Sequence, residues 1–199
     1  FAQDEITEGL KDIFGGVGKV IEGSLGILGG YQSPQQARDQ KKMSGSCVNG
    51  STNNFRYTDG SKYVGGCNGD NRVGHGTLTW VTGATYIGDW VNNVRHGQGQ
   101  QRYVFKDNRT GVYNGEFLND KQYGKGTIKF SDGESYAGDW VDNQRHGFGK
   151  AEVMLANFGM VNYQGDYDKD NAINGIIDYL NGAKYIGELK NGLRHGVGK

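Results

Sequence analysis

Three histidines recur at one repeat position, His96, His146 and His195, each after an arginine (Arg95, Arg145, Arg194) and before a glycine. Imidazoles at a fixed interval invite a metal-binding reading. The segments around them have strand character and lie two hairpins apart, so neighbouring imidazoles are separated by about 19 Å at roughly 4.8 Å per strand. Zinc ligands must reach one ion at about 2 Å, so these three cannot share a metal within one molecule. Hydrogen bonds within turns, together with the adjacent arginines, are the expected role. His75 sits at a different repeat position, between Gly74 and Gly76.

Carboxylates form a second row: Asp89, Glu116, Asp139, Asp166 and Glu188. Two carboxylates hydrolyse glycosides only when they are paired across one substrate, and a regular row gives no such pair. A solvated acidic face is the expected role. No nucleophile has a positioned base beside it. The Gly-x-Gly pairs close hairpins and open no helix, so they fail the test for a phosphate loop. No catalytic residue, metal or cofactor is therefore expected. Asn49-Gly50-Ser51 and Asn108-Arg109-Thr110 fit the N-glycosylation pattern, which matters only in a eukaryotic secretory route.

What must position these residues is a repeat. Tyr-x-Gly-x-aromatic appears as Tyr86-Ile87-Gly88-Asp89-Trp90 and returns as Tyr113-Asn114-Gly115-Glu116-Phe117 and Tyr136-Ala137-Gly138-Asp139-Trp140. It is followed by Gly-x-Gly: Gly97 and Gly99, Gly124 and Gly126, Gly147 and Gly149. Tyr63, Tyr163-Gln164-Gly165-Asp166-Tyr167 and Tyr185-Ile186-Gly187-Glu188-Leu189 are further copies. Residues two apart share one face of a strand. An apolar residue then follows on a second strand, as at Trp80, Tyr103, Phe130 and Val153. Each copy thus predicts a β-hairpin, and successive hairpins predict one elongated antiparallel sheet in a mainly β fold. If the polar stretch after each aromatic closes symmetrically, Trp90 lies opposite Gly97 with Gly76 on its other side. Trp140 then sits between Gly147 and Gly126, and Phe117 between Gly124 and Gly99. Each glycine leaves a vacancy for a neighbouring ring. Spacing alternates, and the extensions near Val104–Phe105 and Met154–Leu155 predict longer hairpins on one edge, with a pair of hairpins as the true unit.

These residues resemble the MORN (membrane occupation and recognition nexus) repeat family over about residues 55–199, with spacing, glycines and aromatics agreeing in five of six copies. Cys67 stands where the first full copy should carry an aromatic. Asn174-Gly175-Ile176 replaces Gly-x-Gly in the Tyr163 copy, so that hairpin should be irregular. The resemblance implies a twisted sheet used for self-association, protein contacts or membrane contact, and no enzymatic activity.

Lysine plus arginine equals aspartate plus glutamate, 22 each. The resulting net charge of zero argues against nucleic acid, which requires a basic surface. It also weakens attraction to anionic membrane. No stretch is long and apolar enough to span a bilayer. Phe1-Ala2 before Gln3-Asp4-Glu5 resembles the junction at a signal-peptidase site. An exported protein is expected on that reading, and truncation of a longer chain is the alternative. Export would favour a Cys47–Cys67 disulfide over two separate thiols.

Residues 1–30 are a different element. Ile6, Leu10, Ile13, Phe14, Val17, Val20, Ile21, Leu25 and Leu28 form an apolar stripe of helical spacing, interrupted by Gly15, Gly16, Gly18, Gly23 and Gly26. Each interior glycine costs a helix up to about 1 kcal/mol, so the segment needs a partner surface: its own sheet, another copy or a membrane. Residues 31–46 read as a polar linker and 47–199 as the hairpin array. The expected function is a non-enzymatic scaffold that contacts other subunits or itself, with a glycan- or lipid-binding aromatic face as the alternative. Strand edges at the two ends of the array would recruit partner strands unless further repeats cap them.

Overall fold

The computed structural model describes residues 27–29, 42–48, 51–155, 159–190 and 193–199. The described residues are strands and turns, without helix. The strands are β1 (Ile27–Gly29), β2 (Lys42–Ser44), β3 (Asn53–Tyr57), β4 (Lys62–Asn68), β5 (Asn71–Thr79), β6 (Thr85–Val91), β7 (Val94–Phe105), β8 (Thr110–Leu118), β9 (Lys121–Phe130), β10 (Ser135–Val141), β11 (Gln144–Leu155), β12 (Gly159–Asp168), β13 (Asn171–Asp178), β14 (Lys184–Lys190) and β15 (Leu193–Gly198). From β2 to β15, neighbours in the chain are hydrogen-bonded neighbours in an open antiparallel sheet. Residues 26–124 and 125–199 form two compact units among the described residues.

Turn chemistry explains this order. On one side the hairpins close through two residues that both have positive φ: Asn92-Asn93, Asn119-Asp120, Asp142-Asn143 and Lys169-Asp170. That is the twist-matched two-residue turn, and Asn and Asp tolerate it best after glycine. On the other side a longer, three-residue loop ends in one left-handed residue. Gly83 donates its N–H to the Trp80 carbonyl at 2.9 Å, Gly133 to Phe130 at 3.1 Å, and Asn108 to Phe105 at 3.1 Å.

The two-residue turns correct the register expected above. Trp90 pairs with Arg95, not Gly97, because the first strand runs on to Val91. Trp140 likewise pairs with Arg145. On the earlier-neighbour side Phe117 faces Gly97, not Gly99, which faces Gly115, and Trp90 faces Gly74, not Gly76, which faces Gly88. The expected long hairpins are present, with β7 and β11 each twelve residues long.

Cys47 and Cys67 are joined, with Cα atoms 5.9 Å apart. Closing a loop of this length is worth roughly 3 kcal/mol in the chain-entropy account. The leading hairpin has an irregular first strand, β2, within the expected linker; Lys42 pairs with Tyr57 and Ser44 with Arg56. Leu28 falls in β1, which pairs with β7, rather than in a helix. Ile6, Leu10, Ile13, Phe14, Val17, Val20, Ile21 and Leu25 lie outside the described residues.

Candidate functional site

The tyrosine that opens each copy is fully buried: Tyr63, Tyr86, Tyr113, Tyr136 and Tyr163. Tyr86 and Tyr136 each stand edge-on between two rings. In residues 26–124, Tyr86 meets Trp90 at 5.0 Å and Phe117 at 5.1 Å between centroids, and Phe117 meets Tyr113 at 5.2 Å. In residues 125–199, Tyr136 meets Trp140 and Tyr167, each at 5.2 Å, and Tyr167 meets Tyr163. Edge-on contacts of this kind add about 0.5–1.5 kcal/mol each beyond area burial. At the first copy Cys67 replaces the ring. There Tyr63 stacks on Phe55 at 6.0 Å instead, and the disulfide fills the space. Burial, before any charge effect, holds the phenols of Tyr86, Tyr136, Tyr163 and Tyr167 above the ordinary tyrosine range.

The two glycines of each Gly-x-Gly have separate reasons. A methyl on Gly99 would lie 2.5 Å from the Tyr86 hydroxyl and 2.6–2.7 Å from its ring carbons, so this glycine makes room for a ring. Gly88, Gly138, Gly149, Gly165, Gly187 and Gly198 meet their own tyrosines in the same way. The ring occupying the vacancy is therefore the opening tyrosine, not the tryptophan assigned above. Gly97 has φ +59°, and Gly124, Gly147 and Gly196 are similar. Two residues, Gly97 and Gln98, have no partner between the Gly88–Gly99 and Asp89–His96 pairs. This bulge needs the left-handed residue. Its space is bounded by the carboxylate of the acidic row: Asp89 beside Gly97, Glu116 beside Gly124, Asp139 beside Gly147 and Glu188 beside Gly196. The acids thus brace the bulges, and Gln98 donates its N–H to Asp89 Oδ2 at 3.3 Å.

Two of the three arginines before the histidines, Arg95 and Arg145, are core residues, not turn decoration; Arg194 is exposed and lies over the Tyr185 ring at 5.5 Å. Arg95 and Arg145 are almost wholly buried. Arg95 Nε donates to Asp120 Oδ1 at 3.0 Å and its Nη2 to the Asp120 carbonyl at 2.8 Å. Arg145 repeats both contacts with Asp170, each at 3.0 Å. Arg72 makes a weaker version with Asn93. Each guanidinium also lies over rings: Arg72 over Trp90 at 4.4 Å, Arg95 over Phe117 at 5.4 Å and Arg145 over Tyr167 at 5.0 Å. The turn of one hairpin thereby clamps the arginine of the hairpin before it. Strand parity carried this signal, since Arg95 is two residues from Gly97 and four from Gly99.

A family model described as MORN repeat matches residues 63–85, 86–104, 113–135, 136–151 and 185–199. The chain carries five MORN repeats. No curated protein matches the chain. The Tyr163 copy, whose second strand departs from the pattern, lies outside the matched segments.

With the repeat's rings and Arg72, Arg95 and Arg145 turned inward, contacts must use what remains exposed. Outside the ring face the histidines are dispersed. His75 Nδ1 lies 3.2 Å from Asp89, His146 Nδ1 lies 3.5 Å from Asp168, and His96 Nδ1 accepts the Gly97 N–H at 2.9 Å. No group of three His, Cys, Asp or Glu among the described residues is arranged to hold a metal ion. MORN repeats in residues 26–124 expose Val64, Ile87, Val91 and Tyr123; those in 125–199 expose Val141, Phe148 and Ile186. An open polar hollow of about 460 Å³ lies in residues 125–199, lined by Lys129, Ser135, Lys150, Glu152, Asn162 and Asp178 among others. Ser135 donates to Glu152 there at 3.0 Å, and Asp178 is paired with Lys184.

Proposed function

We propose that this chain is a non-enzymatic structural protein of an oxidising, exported compartment, and that its MORN-repeat sheet contacts other protein subunits, copies of itself included. MORN repeats are modules of protein or membrane contact, which bounds the choice. The observation that carries the protein reading is the closed aromatic face. Tyr86, Trp90, Tyr136 and Trp140 have at most 2% of their surface exposed, so they are not presented for stacking on a sugar ring or for lying among acyl chains. Net charge zero supplies no general attraction to anionic lipid. The Cys47–Cys67 bridge supports the oxidising compartment. Residues 1–30 serve as an accessory assembly segment. Sedimentation of the full chain over a wide concentration range tests this. The expected result is concentration-dependent association that weakens when residues 1–30 are deleted. A monomer at every concentration, together with flotation on neutral or anionic vesicles or a hit on a glycan array, would transfer the function to the lipid or glycan alternative.

A further inference from the structure

Two long hairpins, fifty positions apart in the sequence, overhang their earlier neighbours in the same way. In residues 26–124, β6 follows β7 only as far as the Thr85–Arg102 pair, while β8 follows it to Val104–Thr110. One side of β7 at Val104 and Phe105 is therefore left by the hairpin array. The chain fills that side itself: β1 pairs there, Gly29 with Val104 and Ile27 with Phe105. In residues 125–199, β10 stops at Ser135–Glu152, while β12 continues to Leu155–Gly159. No strand among the described residues pairs with the other side of β11 at Met154.

The N–H of Met154 points out of the β12 ladder. Among the described residues it is met only by a long bond, 3.4 Å, to the Glu134 carboxylate. Met154 is 48% exposed, whereas its counterpart Val104 is partly covered. The counterpart of Glu134 in the earlier hairpin is Ala84, which is buried. A carboxylate thus guards the later edge where the earlier one has a methyl group. Charged side chains are a common guard on strand edges, and water can replace the backbone group that a carboxylate gives up.

We infer that the edge of β11 at Met154 accepts a strand from another protein chain, an extended segment of aliphatic residues and glycine like the Ile27-Leu28-Gly29 that the sister edge holds. The inference rests on the protein-contact reading above and names the chemistry of the partner. Backbone hydrogen bonds supply the affinity in strand addition, and small or aliphatic side chains fit beside an exposed methionine. Glu134 is a gate that swings aside when the strand arrives.

A synthetic peptide of residues 25–31 is the probe, titrated into the full chain. Saturable binding is expected, about tenfold weaker for Met154→Pro, which removes the outward N–H and no N–H that faces β12, and unchanged for Met154→Ala. Glu134→Ala should strengthen it. Should Met154→Pro unfold, a peptide carrying a cysteine, activated as a mixed disulfide whose small thiol leaves on exchange, in place of Gly29 (the residue paired with Val104 at the sister edge) is mixed with the Met154→Cys chain. A covalent adduct there, and none with Val81→Cys, carries the same conclusion. No binding, or binding indifferent to Met154→Pro with no adduct at position 154, overturns the inference. If the full chain still self-associates in sedimentation, the scaffold reading survives that failure; if it is monomeric and also floats with vesicles or binds a glycan, both fall.

Discussion

The hairpins β10–β11 and β12–β13 begin alike and end differently. Tyr136 donates its hydroxyl to the Asp139 carbonyl at 2.9 Å, and Tyr163 donates to that of Asp166 at 3.1 Å. Their second strands diverge. Between the Gly138–Gly149 and Asp139–His146 pairs, Gly147 and Phe148 are left unopposed, and Gly147 takes φ +55°. In the later hairpin the pairs Gly165–Gly175, Asp166–Asn174 and Tyr167–Ala172 leave only Ile173. The bulge has one residue fewer, and none of its residues is left-handed. The left-handed glycine is absent because the backbone no longer needs it, while Gly175, opposite Gly165, still makes room for the Tyr163 ring. Ala172 also replaces the buried arginine, yet Asp170 in the same hairpin still clamps Arg145. A repeat therefore has separable parts: an opening tyrosine, a turn that serves the hairpin before it, and an arginine that is served by the hairpin after it.

Alkaline pH should act on both hairpins together and most strongly. Tyr136, Tyr163 and Tyr167 have phenols raised by burial in the folded state. A raised folded value means that the unfolded chain loses its protons first. Stability should hold below about pH 10 and fall as pH climbs from there toward the raised folded values. Urea midpoints across that range, with tyrosinate absorbance, check this; independent titration of the phenols without unfolding would show open rings.

Asp170→Ala should separate the two hairpins' roles. It strips Arg145 of its carboxylate in a buried site, and removing one partner of such a pair costs about 3–5 kcal/mol. Equilibrium unfolding measures it. A smaller contrast follows from the bulges. Gly147→Ala forces a side chain into a left-handed position beside Asp139 and should cost about 1–2 kcal/mol. Asn174→Ala should stay within about 0.5 kcal/mol. Equal losses at the two positions would erase the distinction between the bulges. Smallest of all, His146→Ala touches an exposed imidazole near Asp168 and should change stability by less than about 0.5 kcal/mol, with or without added zinc.

The hairpins, their order and their inward rings were legible because Tyr-x-Gly-x-aromatic has period two and the turns carry Asn and Asp. Register was not, since a polar stretch such as Val91-Asn92-Asn93-Val94 gives equal licence to a long loop or to a two-residue turn with a bulge. The arginine clasp was missed for a related reason. Arg95 was grouped with His96 by adjacency, whereas alternation puts them on opposite faces. Its acceptor, Asp120, lies 25 residues away and is set by the register of the next hairpin. The acidic row was placed on the correct face, but its bracing of left-handed glycines depends on a bulge that only the backbone reveals.

The central claim is that the aromatic face is the packed interior of the sheet and not a surface offered to ligands. Its most direct test is iodide quenching of tryptophan fluorescence, since the three tryptophans, Trp80, Trp90 and Trp140, are 7%, 2% and 1% exposed. The folded chain should be quenched several-fold less than the same chain in urea, and saturating glycans or lipid vesicles should leave the emission unchanged. Quenching equal to that of the unfolded chain, or emission that shifts on adding glycan or vesicle, would contradict the account.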